Sequence, residues 1–382
     1  MRRIPPAPQA LPEPAPTADL AAAAAEIKRA ARALGFSACG VASAELPPAE
    51  LQRLEAWVSA GHHGDMGYMA RDPAERVAPG RLLEGALAVV VVTLPYAPER
   101  APQPDPRPPT DAGYVATYAQ GEYDYHRVLG VRLEELGRFV AALLPGATTR
   151  RVCDTAPLLE RAYAHAAGLG FVGKNTCLIG PQQGSYTFLG GLLVDRALPP
   201  DPLPRLPSCG TCTRCLDACP TDAFPAPFVL DARRCIAYLT IEHRGAYPVE
   251  LREQVGTHLF GCDICQAVCP WNKFAPEPDP DLRPEPERTR PQLDALYARV
   301  QAGFKSLGRG TAWERTGKRG WLRNLATAMG NSGGEHAAQL AELAAHPDPG
   351  VAEHARWATE RARRVRASAR PCVDSGEEES EP

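Results

Sequence analysis

The sequence predicts an α+β multi-domain protein, and three observations support this prediction. Helix and strand patterns alternate through the first two hundred residues, two dense cysteine runs lie in the middle, and only helical patterns follow residue 288. The 382 residues suffice for two or three domains. The predicted segments are a disordered extension at 1–18, an α/β domain at 19–204, a cysteine-rich module at 205–275, a helical domain at 288–367 and an acidic tail at 368–382.

The α/β domain is predicted from the spacing of its apolar residues. The run ALAVVVVTL at 86–94 is β-branched and has the length of a strand, well short of the ~18 apolar residues that a membrane helix requires. Amphipathic patterns of helical period alternate with such runs, which favours a sheet covered by helices. Helices are predicted at 19–34, 49–60, 124–144 and 157–167, and strands at 37–42, 86–94, 150–154 and 186–195.

The two cysteine runs predict a ferredoxin-like module. The first run has the spacing C-x2-C-x2-C-x3-C and is followed by Pro220. Bacterial ferredoxins bind [4Fe–4S] clusters with this spacing, and the fourth cysteine binds the other cluster of the pair. The second run ends in C-x2-C-x3-C before Pro270, with Leu259 where a first cysteine would stand. We therefore expect two [4Fe–4S] clusters.

A count of ligands assigns eight cysteines to these clusters. Each cluster takes one cysteine from the other run, and Cys235, between the runs, fills the vacancy left by Leu259. Cluster one is predicted to bind Cys209, Cys212, Cys215 and Cys269. Cluster two is predicted to bind Cys219, Cys235, Cys262 and Cys265.

Three other uses of the cysteines stay open at this point. Structural zinc sites favour two separated C-x2-C pairs. Disulfides are disfavoured by metal-type spacing without a secretory signal. A cluster can also be purely structural. The dispersed cysteines Cys39, Cys153, Cys177 and Cys372 stand apart from the runs, and the first three lie in small or apolar stretches typical of buried thiols.

Composition restricts the class of protein further. A formal net charge of −3 argues against a generic nucleic-acid-binding polycation, and acidic residues concentrate in the C-terminal tail. The N-terminus has an arginine pair without a hydrophobic stretch behind it, which indicates a disordered extension rather than an export signal. Many of the 40 prolines fall in predicted linkers at 97–110 and 275–287. We expect a cytoplasmic monomer with no membrane segment.

The C-terminal region contains helical patterns only. The stretch WLRNLATAMGNSG, followed by HAAQLAELAAHPDPGVAEHARWATERARR, resembles a helical-repeat hairpin of the HEAT kind. A simple helical cap on the cysteine-rich module is the alternative.

Several stretches together resemble one family. They are MGYMARDPAERVAPGRLLEGA at 66–86, YDYHRVLGVRLEELG at 123–137, VCDTAPLLERAYAHAAGLGFVGKNTCLI at 152–179 and the two cysteine runs. In combination they are similar to the epoxyqueuosine reductase family over nearly the whole chain. The resemblance implies that the α/β domain binds base-off cobalamin, as in reductive dehalogenases. It also implies that the clusters pass electrons to cobalt and that the C-terminal helices help to hold tRNA.

The reaction implied by the resemblance is the reduction of an epoxide to an alkene. The substrate is epoxyqueuosine at the wobble position of a tRNA with a GUN anticodon, and an external electron donor supplies two electrons. Because the leaving oxygen must be protonated, the site needs an acid. Asp154 is the predicted acid, since it matches the family segment D-[ST]-x-P-x-x-E-R; helix capping is its alternative role. A carboxylic acid in a partly desolvated pocket can serve if burial raises its pKa.

Further site residues follow from the resemblance and from local composition. Glu160 and Arg161 are expected to form an orienting ion pair. His126, outside any D-x-H-x-x-G motif, is expected to cap a helix or face solvent. Besides Asp154, the residues predicted to line the cobalamin pocket are Arg76, Lys174, Asn175, Ser185 and Asp263. The residues predicted to contact tRNA through phosphate contacts and base stacking are Lys318, Arg319, an exposed Trp321 and Arg323.

Two other functions compete with this interpretation. A cytoplasmic cobalamin-dependent reductive dehalogenase would share the cobalamin domain and the clusters but would act on a haloarene. A non-catalytic ferredoxin-type electron carrier would use only the cysteine-rich module, and it would leave the first two hundred residues without a role.

Overall fold

The fold is that of a computed structural model, which describes residues 10–96 and 111–368, with side chains to residue 364. The strands are β1 (Ala38–Ser43), β2 (Ala88–Pro95), β3 (Tyr114–Val115), β4 (Thr149–Val152), β5 (Phe171–Val172), β6 (Leu178–Ile179), β7 (Thr187–Val194) and β8 (His258–Phe260). Four of them form an antiparallel sheet of order β1-β2-β7-β4. The others form two short pairs, β3 with β8 and β5 with β6.

Helices surround the sheet and make up most of the C-terminal half. They are α1 (Leu20–Ala33), α2 (Pro48–Ser59), α3 (Gly67–Ala70), α4 (Tyr125–Leu143), α5 (Glu160–Ala166), α6 (Arg214–Asp217), α7 (Ile236–Ile241), α8 (Val249–Arg252), α9 (Ile264–Ala267), α10 (Pro286–Thr289), α11 (Leu293–Gly308), α12 (Gly317–Ser332), α13 (Ala337–Ala344) and α14 (Pro349–Ser368). Asp19 and Asp124 cap α1 and α4, because their carboxylates accept main-chain N–H bonds from the first turn. Within residues 10–96 and 111–368, no helix is both long and apolar enough for a membrane span.

The first domain is built around β2, every residue of which is buried. Alternate side chains of a strand point to opposite faces, so its valines serve two cores. Val90 and Val92 pack with apolar residues of α1 and α4 on one face. Val89 and Val91 pack with residues of α5 on the other. The prediction of a sheet covered by helices is confirmed, in an antiparallel form.

The predicted element bounds differ from the structure at two places that matter for the site. The strand expected at 150–154 ends at Val152, and the helix expected at 157–167 begins at Glu160. The cause is Asp154, whose positive φ breaks the extended backbone. Residues 10–18 are also ordered: the Thr17 N–H donates to the Leu143 carbonyl at 3.0 Å. Residues 1–9 lie outside the described part of the chain.

The segment predicted as a linker at 275–287 is anchored to the first domain. Arg132 of α4 donates to both carboxylate oxygens of Asp279, at 2.6 and 2.8 Å, and to Asp281 at 2.9 Å. Arg132 and Asp279 are each 8% exposed. A buried ion pair of this kind holds the cysteine-rich module against α4. The predicted linker at 97–110 and the acidic tail after residue 368 lie outside the described residues.

The C-terminal helices share one apolar core with the β3–β8 pair. In this region α12 packs against α11 and α14. The ring of Trp321 stacks on Phe260 of β8, with centroids 5.7 Å apart and planes 10° apart. The helical character of this region is confirmed, whereas its HEAT-like repeat character stays a prediction.

Candidate active site and cluster ligands

Asp154 lies in the turn that follows β4. Its φ of 53° is in the left-handed region, which non-glycine residues seldom adopt. The main-chain N–H of Asp154 donates to Oε1 of Glu160 at 2.7 Å, and the N–H of Leu159 donates to the Arg76 carbonyl at 2.9 Å. These bonds fix the turn. Since α5 begins at Glu160 without a side-chain cap, the alternative role of Asp154 as a helix cap is wrong.

The carboxylate of Asp154 contacts the first turn of α4. The Tyr125 hydroxyl donates to Oδ2 at 2.9 Å, and Nε2 of His126 lies 3.1 Å from the same oxygen. Nδ1 of His126 lies 2.7 Å from Oδ1 of Asp124. The Tyr125 ring stacks on Phe188 of β7 with centroids 4.2 Å apart. The Asp154 side chain is still 61% exposed, so a substrate can reach it.

The two aspartates keep His126 protonated. Burial lowers the pKa of His126, but its hydrogen bonds with Asp124 and Asp154 outweigh burial and raise it to about 9. The His126 hydrogen bond also lowers the pKa of Asp154, against the opposing effect of burial. Burial therefore does not give Asp154 the raised net pKa that an acid at this position would need. At neutral pH the pair holds its proton on the imidazole, within hydrogen-bond distance of the carboxylate.

Glu160 and Arg161 act on different parts of the structure. Glu160 accepts the Asp154 N–H, and burial raises the pKa of Glu160 to about 7. Arg161 donates to the carbonyl of Thr176 in the turn between β5 and β6. The prediction of an ion pair between these neighbours is therefore wrong. Together they connect the Asp154 turn to the β5–β6 turn through one short helix.

The first predicted ligand set converges where α6 and α9 pack together. Burial, followed by the Cys209 and Cys215 thiols, raises the pKa of Cys269 to about 11. Burial together with Cys209 and Cys212 raises the pKa of Cys215. The structure thus brings Cys269, from the second run, to the three cysteines of the first.

The second predicted set converges around Cys235 at the start of α7. Burial, then Cys235 and Cys219, raise the pKa of Cys262. The pKa of Cys265 is raised by its contact with Cys177 and by burial, and the thiols of Cys262 and Cys235 raise it further. Leu259, at the position of the missing cysteine, is fully buried in the C-terminal core. Cys235 thus lies near Cys262 and Cys265, and its role as the fourth ligand stays a prediction.

These thiols fit the cofactor that their spacing predicts. Every cysteine among the described residues is free, so the structure gives no support to disulfides there. No group of three or more His, Cys, Asp or Glu side chains in residues 10–96 and 111–368 closes around a single metal ion. Two sets of four soft thiolate donors suit polynuclear iron–sulfur clusters.

Several residues predicted to line the cobalamin pocket instead contact the cysteine-rich module. The Lys174 ammonium donates to the carbonyls of Gly210 and Cys212 at 2.8 and 3.0 Å. Asn175 donates to the Cys265 carbonyl at 3.2 Å. The Ser185 N–H donates to Oδ1 of Asn272 at 2.6 Å. A direct corrin contact by Lys174, Asn175, Ser185 or Arg76 stays a prediction.

Asp263 is buried between two cluster ligands. It accepts hydrogen bonds from the Tyr114 hydroxyl at 2.8 Å and from both the N–H and the hydroxyl of Thr117 at 2.7 Å. Burial raises its pKa. Tyr118, the next residue after Thr117, makes an edge-to-face contact with Tyr125, with centroids 6.0 Å apart. Asp263 thus belongs to a chain of contacts from the second ligand set to the Asp154 site.

Two observations concern the predicted cobalamin pocket. Both ring nitrogens of His126 are already engaged by carboxylates, so this imidazole is not free to bind a metal. The buried hydroxyl of Tyr186 has no hydrogen-bond partner among the described residues, and it lies near Asp263 and Cys265. A polar group bound beside the second ligand set would satisfy it.

The predicted tRNA contacts divide into two groups. Trp321 is fully buried and donates from Nε1 to the Trp313 carbonyl at 3.1 Å. Arg323 is 3% exposed and donates to the carbonyls of Leu239, His243 and Gly245. Base stacking by Trp321 and phosphate contact by Arg323 are therefore wrong predictions.

Lys318 and Arg319 form the second group, and both are exposed at the start of α12. Arg319 forms a 3.3 Å ion pair with Asp348. A contact of these two side chains with tRNA stays a prediction.

Sequence reasoning missed three residues. Tyr125 and His126 follow the helix-capping Asp124, and the polar cluster YDYH was the available signal. Cys177 was predicted as an ordinary buried thiol, yet it lies beside Cys265, and their contact lowers the pKa of the Cys177 thiol. The sequence carries no signal for that contact.

Known families and structures match this arrangement. A family model described as 4Fe-4S double cluster binding domain matches residues 208–272, and one described as Epoxyqueuosine reductase QueG, DUF1730 matches residues 76–155. The chain is 41% identical to an epoxyqueuosine reductase of Pseudomonas aeruginosa, over 93% of this chain and 98% of the relative. It is 39% identical to that of Escherichia coli K12, over 89% of each chain. A solved epoxyqueuosine reductase with an epoxyqueuosine-modified tRNA-Tyr stem loop matches with a TM-score of 0.81 and 32% identity, over 90% of this chain and 91% of that chain.

An antiparallel α+β domain joined to a [4Fe–4S] module defines an iron–sulfur oxidoreductase. The chain belongs to the epoxyqueuosine reductase family. It is therefore an enzyme of queuosine biosynthesis, and the alternatives of a dehalogenase and of a non-catalytic electron carrier are set aside.

Proposed function

We propose that the chain reduces the epoxide of epoxyqueuosine at the tRNA wobble position, with the Asp154–His126 pair as the proton source. Electrons from an external donor would pass through two [4Fe–4S] clusters to base-off cobalamin. The conversion of the epoxide to an alkene takes two electrons and two protons and releases the oxygen as water. The observation that carries the proposal is the 3.1 Å contact between His126 Nε2 and the exposed Asp154 carboxylate.

In this proposal Asp154 delivers the proton and His126 stores it. Asp154 is the exposed member of the pair and can contact the leaving oxygen. The imidazolium passes its proton through the Asp154 carboxylate to the leaving oxygen, and Asp124 holds the ring in the correct orientation. The hydrogen bond from Tyr125 fixes the direction of the carboxylate. The second proton enters from solvent through the exposed side of Asp154.

The electron path is supported by the order of contacts between the ligand sets and the site. Cysteines of the second set flank Asp263, which connects through Thr117, Tyr118 and Tyr125 to Asp154. We therefore assign cluster two as the one nearer the substrate. Bound cobalamin would supply a reducible cobalt centre for the two-electron chemistry. The protein's own part is to hold the cysteine ligands and to direct the proton.

Lys318 and Arg319 are the proposed phosphate contacts for tRNA. Both are exposed cations at the beginning of one helix. Replacing both with alanine should weaken binding of a tRNA stem loop and reduce the dependence of log affinity on log salt by about 1 to 2 units. Lys305→Ala on α11 is the matched control. Unchanged salt dependence would remove these two residues from the interface.

The decisive experiment combines metal analysis with an assay. Protein purified without oxygen should contain iron, sulfide and, after reconstitution, cobalt, and it should convert epoxyqueuosine in tRNA from a strain that lacks this protein. Asp154→Ala should keep the metals and lose about 10²- to 10⁴-fold in turnover. The control Glu134→Ala removes an exposed carboxylate of α4 and should keep full activity. Full activity of Asp154→Ala would refute the assigned acid.

A further inference from the structure

The turn between β5 and β6, residues 173–177, contacts both cysteine sets. The Gly173 N–H donates to the Cys177 carbonyl and the Thr176 N–H donates to the Gly173 carbonyl, each at 2.8 Å. Thr176 adopts a φ of 65°, which closes the turn tightly. A Cβ atom at Gly173 would clash with Cδ1 of Ile179 and lie 2.8 Å from Oδ1 of Asn175, so a side chain there would displace both. This turn has a defined shape.

Lys174 places two kinds of donor at the first cysteine set. Its main-chain N–H donates to Sγ of Cys209 at 3.4 Å. Its ammonium donates to the carbonyls of Gly210 and Cys212. A cation and an N–H···S bond therefore lie beside the ligands of cluster one.

Asn175 and Cys177 act at the second set. Asn175 donates to the Cys265 carbonyl at 3.2 Å and accepts the Cys177 N–H at 3.3 Å. Asn175 thus holds Cys177 next to Cys265, and the contact between the two thiols lowers the pKa of Cys177 and raises that of Cys265. A Cys265 thiolate that binds iron can only accept, so in a hydrogen bond between the two sulfurs Cys177 donates its S–H.

We infer that the 173–177 turn sets the reduction potentials of the two clusters separately, through Lys174 at cluster one and Cys177 at cluster two. Reduction adds negative charge to a cluster, and that charge is stabilised by a nearby cation and by hydrogen bonds to the ligand sulfurs. Each donor therefore raises the potential of the cluster that it contacts. The inference rests on the proposed function, in which two clusters are present.

The test is a redox titration followed by electron paramagnetic resonance on oxygen-free protein. Lys174→Met should shift the midpoint potential of cluster one to a more negative value and leave cluster two unchanged. Cys177→Ala should shift the midpoint potential of cluster two to a more negative value and leave cluster one unchanged. Lys174→Arg keeps a cation and Cys177→Ser keeps a hydrogen-bond donor. Both variants should therefore have midpoint potentials near those of the wild type. Lys305→Met and Cys153→Ala are controls away from the turn and should not change the midpoint potential of either cluster.

The outcomes separate this inference from the proposed function. Wild-type protein without two four-iron centres would refute the function on which the inference rests. Two intact clusters with unchanged potentials in Lys174→Met and Cys177→Ala would refute the inference alone. Equal shifts of both clusters in either variant would refute the separate assignment. If an alanine or methionine variant loses a cluster, a wild-type potential in the arginine or serine variant supports the inference and a shifted one overturns it.

Discussion

The main-chain N–H of Asp154 donates a 2.7 Å hydrogen bond to the Glu160 carboxylate, six residues further along the chain. This bond stabilises a left-handed backbone that costs about 1–3 kcal/mol in a non-glycine residue. It leaves the Asp154 side chain free to contact Tyr125 and His126. Glu160 is thus a positioning residue for the proposed acid.

Glu160→Ala should lower kcat by about 10- to 100-fold with little change in KM, because a small displacement of the acid is costly and tRNA binding does not use this bond. Glu160→Gln should keep most of the activity, since its amide oxygen can still accept the Asp154 N–H. Steady-state kinetics on the modified stem loop measure both. Equal activity of the alanine and glutamine variants would contradict the positioning role.

Activity should fall at high pH as His126 loses its proton. The pKa of His126 is raised to about 9, above its ordinary value of about 6.5. Its contribution to stability is therefore complete below about pH 6.5 and is lost as the pH rises through about 9. Single-turnover rates should be level near neutrality and decline with an apparent pKa near 9. His126→Gln should be slower throughout and should lack this alkaline decline; its persistence in the variant would show that another group titrates.

Cys235→Ala should remove or convert cluster two and leave cluster one intact. Iron content should fall from about eight toward about four atoms per chain, because one of two [4Fe–4S] clusters loses a ligand. Cys153→Ala, which removes a thiol outside both sets, should retain all of the iron. Iron and sulfide analysis with spectroscopy distinguishes the two variants. Two complete clusters in Cys235→Ala would mean that the ligand assignment is wrong.

Arg132→Ala should destabilise the protein by about 3 kcal/mol, since it leaves the buried Asp279 carboxylate without its partner. The matched control is Arg138→Ala on the same helix, where the ion pairs with Glu134 and Glu135 are exposed and contribute less than about 1 kcal/mol. Denaturant unfolding monitored by circular dichroism gives both values. Similar losses in the two variants would show that the Arg132 pair does not anchor the module.

The features that the sequence predicted well are those encoded locally. Strand β2, helix α4 and the two cysteine runs each depend on residues that are close together in the chain. The partners of Asp154 come from a helix 29 residues earlier and could not be inferred from spacing. The errors at Trp321 and Arg323 have another cause: both lie in the buried part of α12 and donate to main-chain carbonyls instead of facing solvent.

Helix α5 links two turns of the molecule through two consecutive side chains. Glu160 and Arg161 extend from the first turn of α5 to the Asp154 turn and to the turn between β5 and β6, respectively. Loss of the Glu160 bond would release the Asp154 turn, while the Arg161 bond would still hold the turn between β5 and β6. The turn that holds the proposed acid and the turn that contacts both cysteine sets can therefore be altered separately, by substitutions at two consecutive residues.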